Sequence, residues 1–555
     1  MNEVPAANPA GSTENAENSA RTITFALIID LLTEDGQLIE AASCADPASM
    51  HITGMSFDSR ETAPGHLFVC KGVHFEPRFL TAAREAGAAA YLCDRAHAEE
   101  LAETAPGMPR IVAEDVRRAM ALCAPAVYGH PDRSICITGI TGTKGKSTTA
   151  YMLRSILDAA ERPCGIMGSI MTDDGIECYE SHNTTPEAPE LWRHLANTAA
   201  SGRDSMVMEV SSHALKYDRV LGLPLDIACF LNIGRDHISP VEHEDFEDYF
   251  TSKLRIFEQC GIAVVNLGTA ECDRVLNAAG AAERVVCFGV EGTGEFPAAG
   301  PEAGLRLDET ADVWATDVES GSGRITFTLH ESAAFVSATT CGNETGERVV
   351  PVALGIPGLF NVDNALAAIC MARLMGADTD AILAGLANLR VPGRMEVVRN
   401  ADESIIAIVD YAHNKLSFEA LFDSVSREYA HRQVIAVFGA PGGKAYERRE
   451  QLPKAAAPHS DLLIFTEEDP AHDSVREICE QMAAATPAGT PYEIIEDREA
   501  AITHAVDIAK RDFDAGICKS VLLLLAKGDE TRQHRGDEYP EVKSDLQIAR
   551  ELLEG

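Results

Sequence analysis

Residues 134–160 read SICITGITGTKGKSTTAYMLRSILDAA, and the fold turns on them. Ile135, Cys136 and Ile137 are apolar and favour a strand, while Met152, Leu153, Ile156 and Leu157 recur at helical spacing. Between them lies a turn of glycine and threonine. Strand, glycine-rich loop and helix in that order converge backbone N–H groups and a helix N-terminus on one point, where phosphate oxygens bind. Within Gly142, Thr143, Lys144, Gly145, Lys146, Ser147 and Thr148, Lys146 can reach the terminal phosphates and the Ser147 hydroxyl can ligate Mg²⁺. The plain alternative is an ordinary glycine-rich strand-to-helix turn. A usual phosphate loop has glycine five positions before Gly145; here Ile140 stands there, flanked by Gly139 and Gly142, which points to a particular subclass of mononucleotide binder.

A chain of 555 residues is too long for one core, and about three domains are expected. Hydrophobic residues make up 46% and charged ones 24%, a globular balance. With 47 basic and 86 acidic residues the net charge is −39, a field that repels nucleic acid and anionic membrane, so neither is expected as a partner. An anionic substrate must then be held by locally placed cations and backbone dipoles. The 15 cysteines are scattered, mostly in apolar runs (Cys123, Cys136, Cys229, Cys370), and none forms a CxxC pair, which favours reduced thiols over disulfides or zinc. No signal-like or membrane-length apolar run is read, so a cytoplasmic protein is expected.

Residues 1–20 are small and polar and are expected to be a disordered leader. A first domain spans 21–133, with a short helix over 25–32, a strand near His66–Cys70, a helix over 79–86 and a strand over 88–92. The block 134–392 alternates buried strands (206–210, 227–232, 262–266) with helices, as in a doubly wound α/β sheet. Its stretch 291–347 reads as irregular strands and loops, and a helix follows at 364–375. Val391, Pro392, Gly393 and Arg394 form a hinge-like turn. From there to 555, strands at 405–409, 434–438, 462–465 and 521–525 give a smaller, Rossmann-like sheet. Two α/β domains joined by a turn suggest a cleft closing over two substrates.

Glu209 ends the apolar strand of Met206, Val207 and Met208, a placement that suits Mg²⁺ coordination as well as a pairing with lysine. His237, after the next strand, is a second candidate ligand or a hydrogen-bonded loop histidine. Lys253 sits in a helical segment and on its own reads as a solvated lysine.

Further stretches follow in one order: NTTPE (183–187), MEVSSHALKYDR (208–219), LNIGRDH (231–237), YFTSKLRIF (249–257), FNVDNALAA (360–368), VPGRME (391–396), VDYAH (409–413), FGAPGGKAYERR (438–449), TEEDPA (466–471) and AKGDE (526–530). That succession resembles the Mur ligases, and within them the branch adding the third residue of the peptidoglycan stem peptide. FDSRETAPGHLFVCKG (57–72) resembles the uridine-nucleotide-binding stretch of the same family, so the resemblance runs from about residue 50 to the end. It implies three α/β domains: a small UDP-substrate domain, a central ATP-binding domain and a C-terminal amino-acid-binding domain. It also implies an ATP- and Mg²⁺-dependent ligase that makes an acyl phosphate of UDP-N-acetylmuramoyl-L-alanyl-D-glutamate and passes it to an amine, working as a monomer. Such chemistry is mostly positioning and charge neutralisation.

Carried over residue by residue, the resemblance gives Lys146, Glu209, His237 and Lys253 catalytic roles. Ser147 and Glu209 would hold one Mg²⁺, and His237 and a carbamylated Lys253 a second, since an ammonium cannot ligate a cation. Asn266, Asn364, Arg394, Asp410 and His413 would attend the nucleotide. Asn183, Thr184, Thr185, Ser211 and Arg219 would grip the muramoyl-dipeptide, and Ser59 and Arg60 the uridine diphosphate. Tyr217 stands where relatives often have Gln, and Leu267, Gly268 and Thr269 replace an acidic pair that often follows the Asn266 motif. Arg449 would hold the incoming α-carboxylate.

Relatives that add diaminopimelate carry Asp-Asn-Pro-Arg, whose arginine pairs the extra carboxylate. Glu468, Asp469, Pro470 and Ala471 stand here, so the cation is gone and anions remain. With Glu467 and Glu530 nearby, this favours a diamino acid, L-lysine first and L-ornithine next; a solvated acidic turn is the plain alternative. Two rival functions are a folylpolyglutamate-synthetase type of ligase, which lacks the uridine-binding domain, and a P-loop regulatory protein that turns over nucleotide without an amine acceptor.

Overall fold

The structure, a computed structural model, describes residues 23–72, 75–181, 183–236, 238, 242–291, 310–321, 324–340 and 345–554. The expected leader and His237 lie outside them. The chain divides into two compact units. The first runs to Arg133 and takes in Glu187–Ala196 and Asp218–Leu221; the second comprises Ser134–Pro186, Asn197–Tyr217 and Gly222–Gly555.

The first unit holds a five-stranded sheet in the order Leu38–Ala42, Arg110–Ala113, Ala90–Asp94, His66–Val69, Gly54–Ser56, parallel except at the first pair. Phe68, Tyr91, Cys93 and Val112 pack from its strands against Leu80 and Leu101. The helix Phe25–Glu34 is capped by the Thr24 hydroxyl and buries Phe25, Ile28 and Leu32, a spacing that gives one apolar stripe.

The second unit carries two sheets. In the eleven-stranded one, Gly165–Met167, Ser205–Glu209, Cys136–Thr141, Leu225–Phe230, Cys260–Asn266, Arg284–Val290 and Val313–Gly321 lie side by side in parallel. From Cys136–Thr141 the chain first builds the sheet to one side and then crosses to Leu225–Phe230 on the other. The switch point thus falls at the carboxyl end of Cys136–Thr141, where an open α/β sheet presents a crevice. The stretch read as irregular contains, among its described residues, the long strands Val313–Gly321 and Arg324–Glu331; with Arg348–Leu354 they extend the sheet antiparallel. Arg324–Glu331 alternates exposed or half-buried with buried residues, so its core face (Ile325, Phe327, Leu329) is spread among polar ones.

The six-stranded sheet has the order Glu396–Arg399, Ile405–Asp410, Ser520–Leu525, Gln433–Phe438, Leu462–Phe465, Tyr492–Ile494, antiparallel only at the first pair. Ser520–Leu525 is buried throughout and inserts between two strands earlier in the chain, so the turns after Asp410, Phe438 and Leu525 emerge from the same sheet edge. Among the described residues the cysteines are free thiols, and no helix is long and apolar enough to cross a membrane.

Candidate active site

The helix Lys146–Ala159 starts at Gly145, whose φ of 88° is left-handed; a Cβ there would stand 2.2 Å from Asn364 Oδ1. Glycine is therefore required by both backbone and packing. Ile140 explains the missing glycine: it is fully buried inside the strand, which runs on to Thr141 and confines the loop to the residues after it. The loop is clamped by Asn232, whose Oδ1 accepts from Lys144 N at 2.9 Å and whose Nδ2 donates to Lys144 O at 3.1 Å.

A cavity of about 760 Å³ opens over this loop. Thr143 to Thr148, Ser169, Asn183, Thr184, Glu209, Asn266 and Asn364 line it from the larger sheet. Arg394, Asp410, His413, Arg448 and Glu530 line it from the smaller one. Residues drawn from distant parts of the sequence thus face one space within one unit.

Lys146 Nζ donates to the carbonyls of Gly142 at 2.9 Å and Thr143 at 3.4 Å, and burial lowers its pKa. Lys144 pairs with Asp236 at 3.1 Å, yet burial brings its pKa down to about 8. Glu209 is buried at the end of its strand, in register with Ile140; its Oε1 accepts from Ser169 N at 2.8 Å. Lys253 sits behind the loop with Nζ 3.0 Å from the Gly142 carbonyl and 4.8 Å from the centre of the Tyr249 ring. Desolvation first, then the charge of Lys146, pushes its pKa well below the ordinary lysine value. This corrects the view of Lys253 as a solvated residue.

Asn266 donates to Asp363 at 3.1 Å, and burial raises the Asp363 carboxyl to about 6. Asn364 is held by Asn361 and by the Thr149 hydroxyl. Asp410 accepts from the N–H groups of Met395 and Ala412, at 2.8 and 2.7 Å, which fixes it at the mouth of the smaller sheet. Arg394 lies 4.7 Å over the Tyr411 ring. Burial keeps His413 far below the usual imidazole pKa, so it is neutral and Nδ1–H donates to the Tyr411 carbonyl at 2.7 Å.

Thr185 is turned away from solvent: its hydroxyl donates to the Glu209 carbonyl at 2.9 Å and accepts from Ser211 N at 3.0 Å. Ser211 caps the helix Ser212–Lys216. In the first unit Arg219 and Lys71 both pair with Glu187, at 3.1 and 3.0 Å. Arg60 there is exposed and paired with Asp58, and Ser59 lies beside them in the turn after Gly54–Ser56.

Two expected amino-acid contacts come out differently. Arg449 is buried against Asp473 at 2.5 Å, Gln481 at 3.0 Å and the Pro441 carbonyl at 3.1 Å, and it does not line the cavity; its neighbour Arg448 does. The acidic turns are partly neutralised from within, because Lys527 pairs with both Asp469 and Glu530 and Arg535 pairs with Glu467. Glu468 is buried, and its carboxyl is raised to about 7 by that burial. Sequence reasoning passed over Asn232, Asp363, Arg448 and Lys527 although each stands inside or beside a quoted motif.

Comparison with known proteins agrees with this geometry. A model of the Mur ligase middle domain matches residues 140–372, and one of the Mur ligase, glutamate ligase domain matches 393–528. The chain is 33% identical over 538 residues to a UDP-N-acetylmuramyl-tripeptide synthetase of Lactobacillus delbrueckii subsp. bulgaricus, covering 94% of this chain and 98% of that protein. It is 31% identical over 500 residues to a UDP-N-acetylmuramoyl-L-alanyl-D-glutamate–L-lysine ligase of Streptococcus thermophilus, covering 90% and 92%. Among solved structures, a UDP-N-acetylmuramoyl-L-alanyl-D-glutamate–2,6-diaminopimelate ligase superposes with a TM-score of 0.61 at 24% identity, covering 96% of this chain and 99% of that one, a likeness of fold.

Proposed function

The chain belongs to the Mur ligase family, ATP-dependent ligases of peptidoglycan-precursor synthesis, and we propose that it joins L-lysine, with L-ornithine as next choice, to UDP-N-acetylmuramoyl-L-alanyl-D-glutamate. The observation that carries the reading is the shared cavity: Lys146 and Glu209 meet Arg394, Asp410, His413, Arg448 and Glu530 across one space. A phosphate loop alone would serve a regulatory nucleotide binder. The second wall, with its cations and acids, supports an acceptor amino acid beside the triphosphate. The named relatives match over nearly the whole chain, first unit included, which favours this substrate over a folate.

The reaction begins when an oxygen of the D-glutamyl carboxylate attacks the γ-phosphorus and ADP leaves. The amine then attacks the acyl carbon, loses a proton and expels inorganic phosphate. Lys146 suits the phosphates, since its ammonium has three donors and its protein partners are two backbone carbonyls. Ser147 and Glu209 face the cavity together, with Glu209 accepting only from Ser169 among the described residues, a donor set that fits Mg²⁺. The ion would neutralise charge on the transferring phosphoryl group. Asn183 and Thr184 line the same cavity and suit the peptide end of the acceptor. Asn266, Asn364, Asp410 and His413 suit the nucleotide.

Lys253 supports a carbamate. Burial and the nearby charge of Lys146 both disfavour its ammonium form, and the neutral amine has a lone pair that can add CO₂ and release a proton. The product is an anion beside Lys146. The test is ADP release in the presence of the UDP-linked dipeptide and a panel of amino acids. Dependence on a diamino acid upholds the proposal, and equal use of diaminopimelate overturns the choice of lysine.

A further inference from the structure

Glu209 is held at both ends by one short segment. Thr185 is fully buried and donates its hydroxyl to the Glu209 carbonyl at 2.9 Å, which anchors the backbone of the strand end. The preceding residue, Thr184, reaches the carboxylate through a relay. Its Oγ1 lies 2.9 Å from Ser169 Oγ, and Ser169 Oγ lies 3.4 Å from Glu209 Oε2. Ser169 N also donates to Glu209 Oε1 at 2.8 Å. Ser169, Asn183, Thr184 and Glu209 all line the cavity. Ser169 sits in the tight turn between the antiparallel strands Gly165–Met167 and Met171–Asp173, closed by Gly168 N donating to the Met171 carbonyl at 3.2 Å. Gly168 is not left-handed, yet a Cβ on it would stand 2.2 Å from Glu209 Oε1. Glycine is needed there for space, because the turn packs directly against the carboxylate.

We infer that Ser169 is a positioning residue that orients the Glu209 carboxylate for its divalent ion and, through Thr184, couples ion binding to occupancy of the acceptor loop. The inference rests on the reading of Glu209 as an ion ligand and of Asn183 and Thr184 as dipeptide contacts. Counting protons gives the coupling its direction. A serine hydroxyl has one proton, and an ionised carboxylate only accepts. With its proton directed at Glu209, Ser169 accepts the proton of Thr184, and Thr184 then offers lone pairs to the cavity. A substrate amide N–H donating to Thr184 polarises the whole chain in the same sense. Glu209 Oε1 is engaged by the short bond from Ser169 N. Oε2 has only the 3.4 Å contact among the described residues and so keeps lone pairs for the ion. A dipeptide that fixes Thr184 thereby fixes Ser169, and Ser169 fixes the carboxylate. By linkage the ion must tighten the dipeptide by the same factor as the dipeptide tightens the ion.

The experiment uses Mn²⁺ as the probe and follows the paramagnetic resonance signal of the free ion. Full-length protein is titrated with a non-hydrolysable ATP analogue present throughout, with and without saturating UDP-N-acetylmuramoyl-L-alanyl-D-glutamate. In the wild type the dipeptide should tighten Mn²⁺ by about fivefold or more, and calorimetry should show Mn²⁺ tightening the dipeptide equally. In Ser169→Ala the enhancement should shrink to about twofold or less, and Ser169→Thr, which keeps the hydroxyl, should restore it. A merely structural role would weaken ion and dipeptide without uncoupling them. Gly168→Ala drives a Cβ into the Glu209 carboxylate and should weaken Mn²⁺ by about tenfold or more with or without dipeptide. It carries the test should Ser169→Ala not fold. Full enhancement in Ser169→Ala, none in a wild type that binds the dipeptide, or unchanged Mn²⁺ affinity in Gly168→Ala overturns the role of Ser169 and its turn. A wild type that binds no UDP-linked dipeptide places the failure with the proposed function instead.

Discussion

Replacing Lys253 by alanine should cost this enzyme nearly all its turnover. Lys253 Nζ and Lys146 Nζ share the Gly142 carbonyl, at 3.0 and 2.9 Å, so they stand at most about 6 Å apart. Two unit charges at about 6 Å and an effective dielectric of about 20 repel by roughly 3 kcal/mol. That repulsion adds to the larger cost of desolvation, and both push the Lys253 pKa well below the ordinary lysine value. The ammonium form of Lys253 is therefore disfavoured. The proposed carbamylation would reverse the sign of the interaction and put a carboxylate-like anion beside the phosphate loop. Lys253→Ala removes it, and a loss on the order of 1,000-fold in kcat, about 4 kcal/mol, is expected. The assay is coupled ADP release, repeated with added formate or acetate, which should restore part of the rate. Enzyme labelled with ¹³C-bicarbonate should show a carbamate resonance that Lys253→Ala lacks. Full activity of Lys253→Ala, or an active wild type without that resonance, refutes the reasoning.

Gly145→Ala forces a left-handed Cβ to within 2.2 Å of Asn364 Oδ1. The backbone term alone is about 1–2 kcal/mol, so ATP affinity should fall at least tenfold by calorimetric titration. The Glu468 carboxyl, raised to about 7, must be ionised to hold an ammonium. With lysine charged throughout, KM for lysine should be roughly tenfold higher at pH 6 than at pH 8, and Glu468→Gln should flatten that profile. Arg498→Met leaves Asp545 as an unpaired buried charge, 1% exposed. A destabilisation of about 3–5 kcal/mol in urea unfolding is expected.

The frame was legible because buried strands announce themselves as apolar runs. Met206 to Met208 and Leu522 to Leu525 are buried on both faces and stand out from their neighbours. Arg324–Glu331 hides its core face behind alternate polar residues, so it read as irregular although it pairs over its length. The succession of strand, glycine-rich turn and helix around Gly145 was legible in order; that Ile140 belongs to the strand needed the register with Glu209. Arg448 and Arg449 are adjacent on a helix and so point about 100° apart. No motif says which one faces the cavity. Lys527 was overlooked for a different reason. A lysine among acids reads as one charge in a sum, and only geometry shows that it pairs with two of them. Lys253 needed the same help, because burial decides whether a helical lysine is a solvated cation or a reactive amine.

The most direct test of the central claim is ADP release by the wild-type enzyme with ATP, Mg²⁺ and UDP-N-acetylmuramoyl-L-alanyl-D-glutamate, with and without L-lysine. Release that requires both acceptor and lysine, matched mole for mole by a UDP-linked tripeptide, is the predicted result. ADP formed at the same rate when the UDP-linked dipeptide or the amino acid is omitted, with no tripeptide, would contradict it.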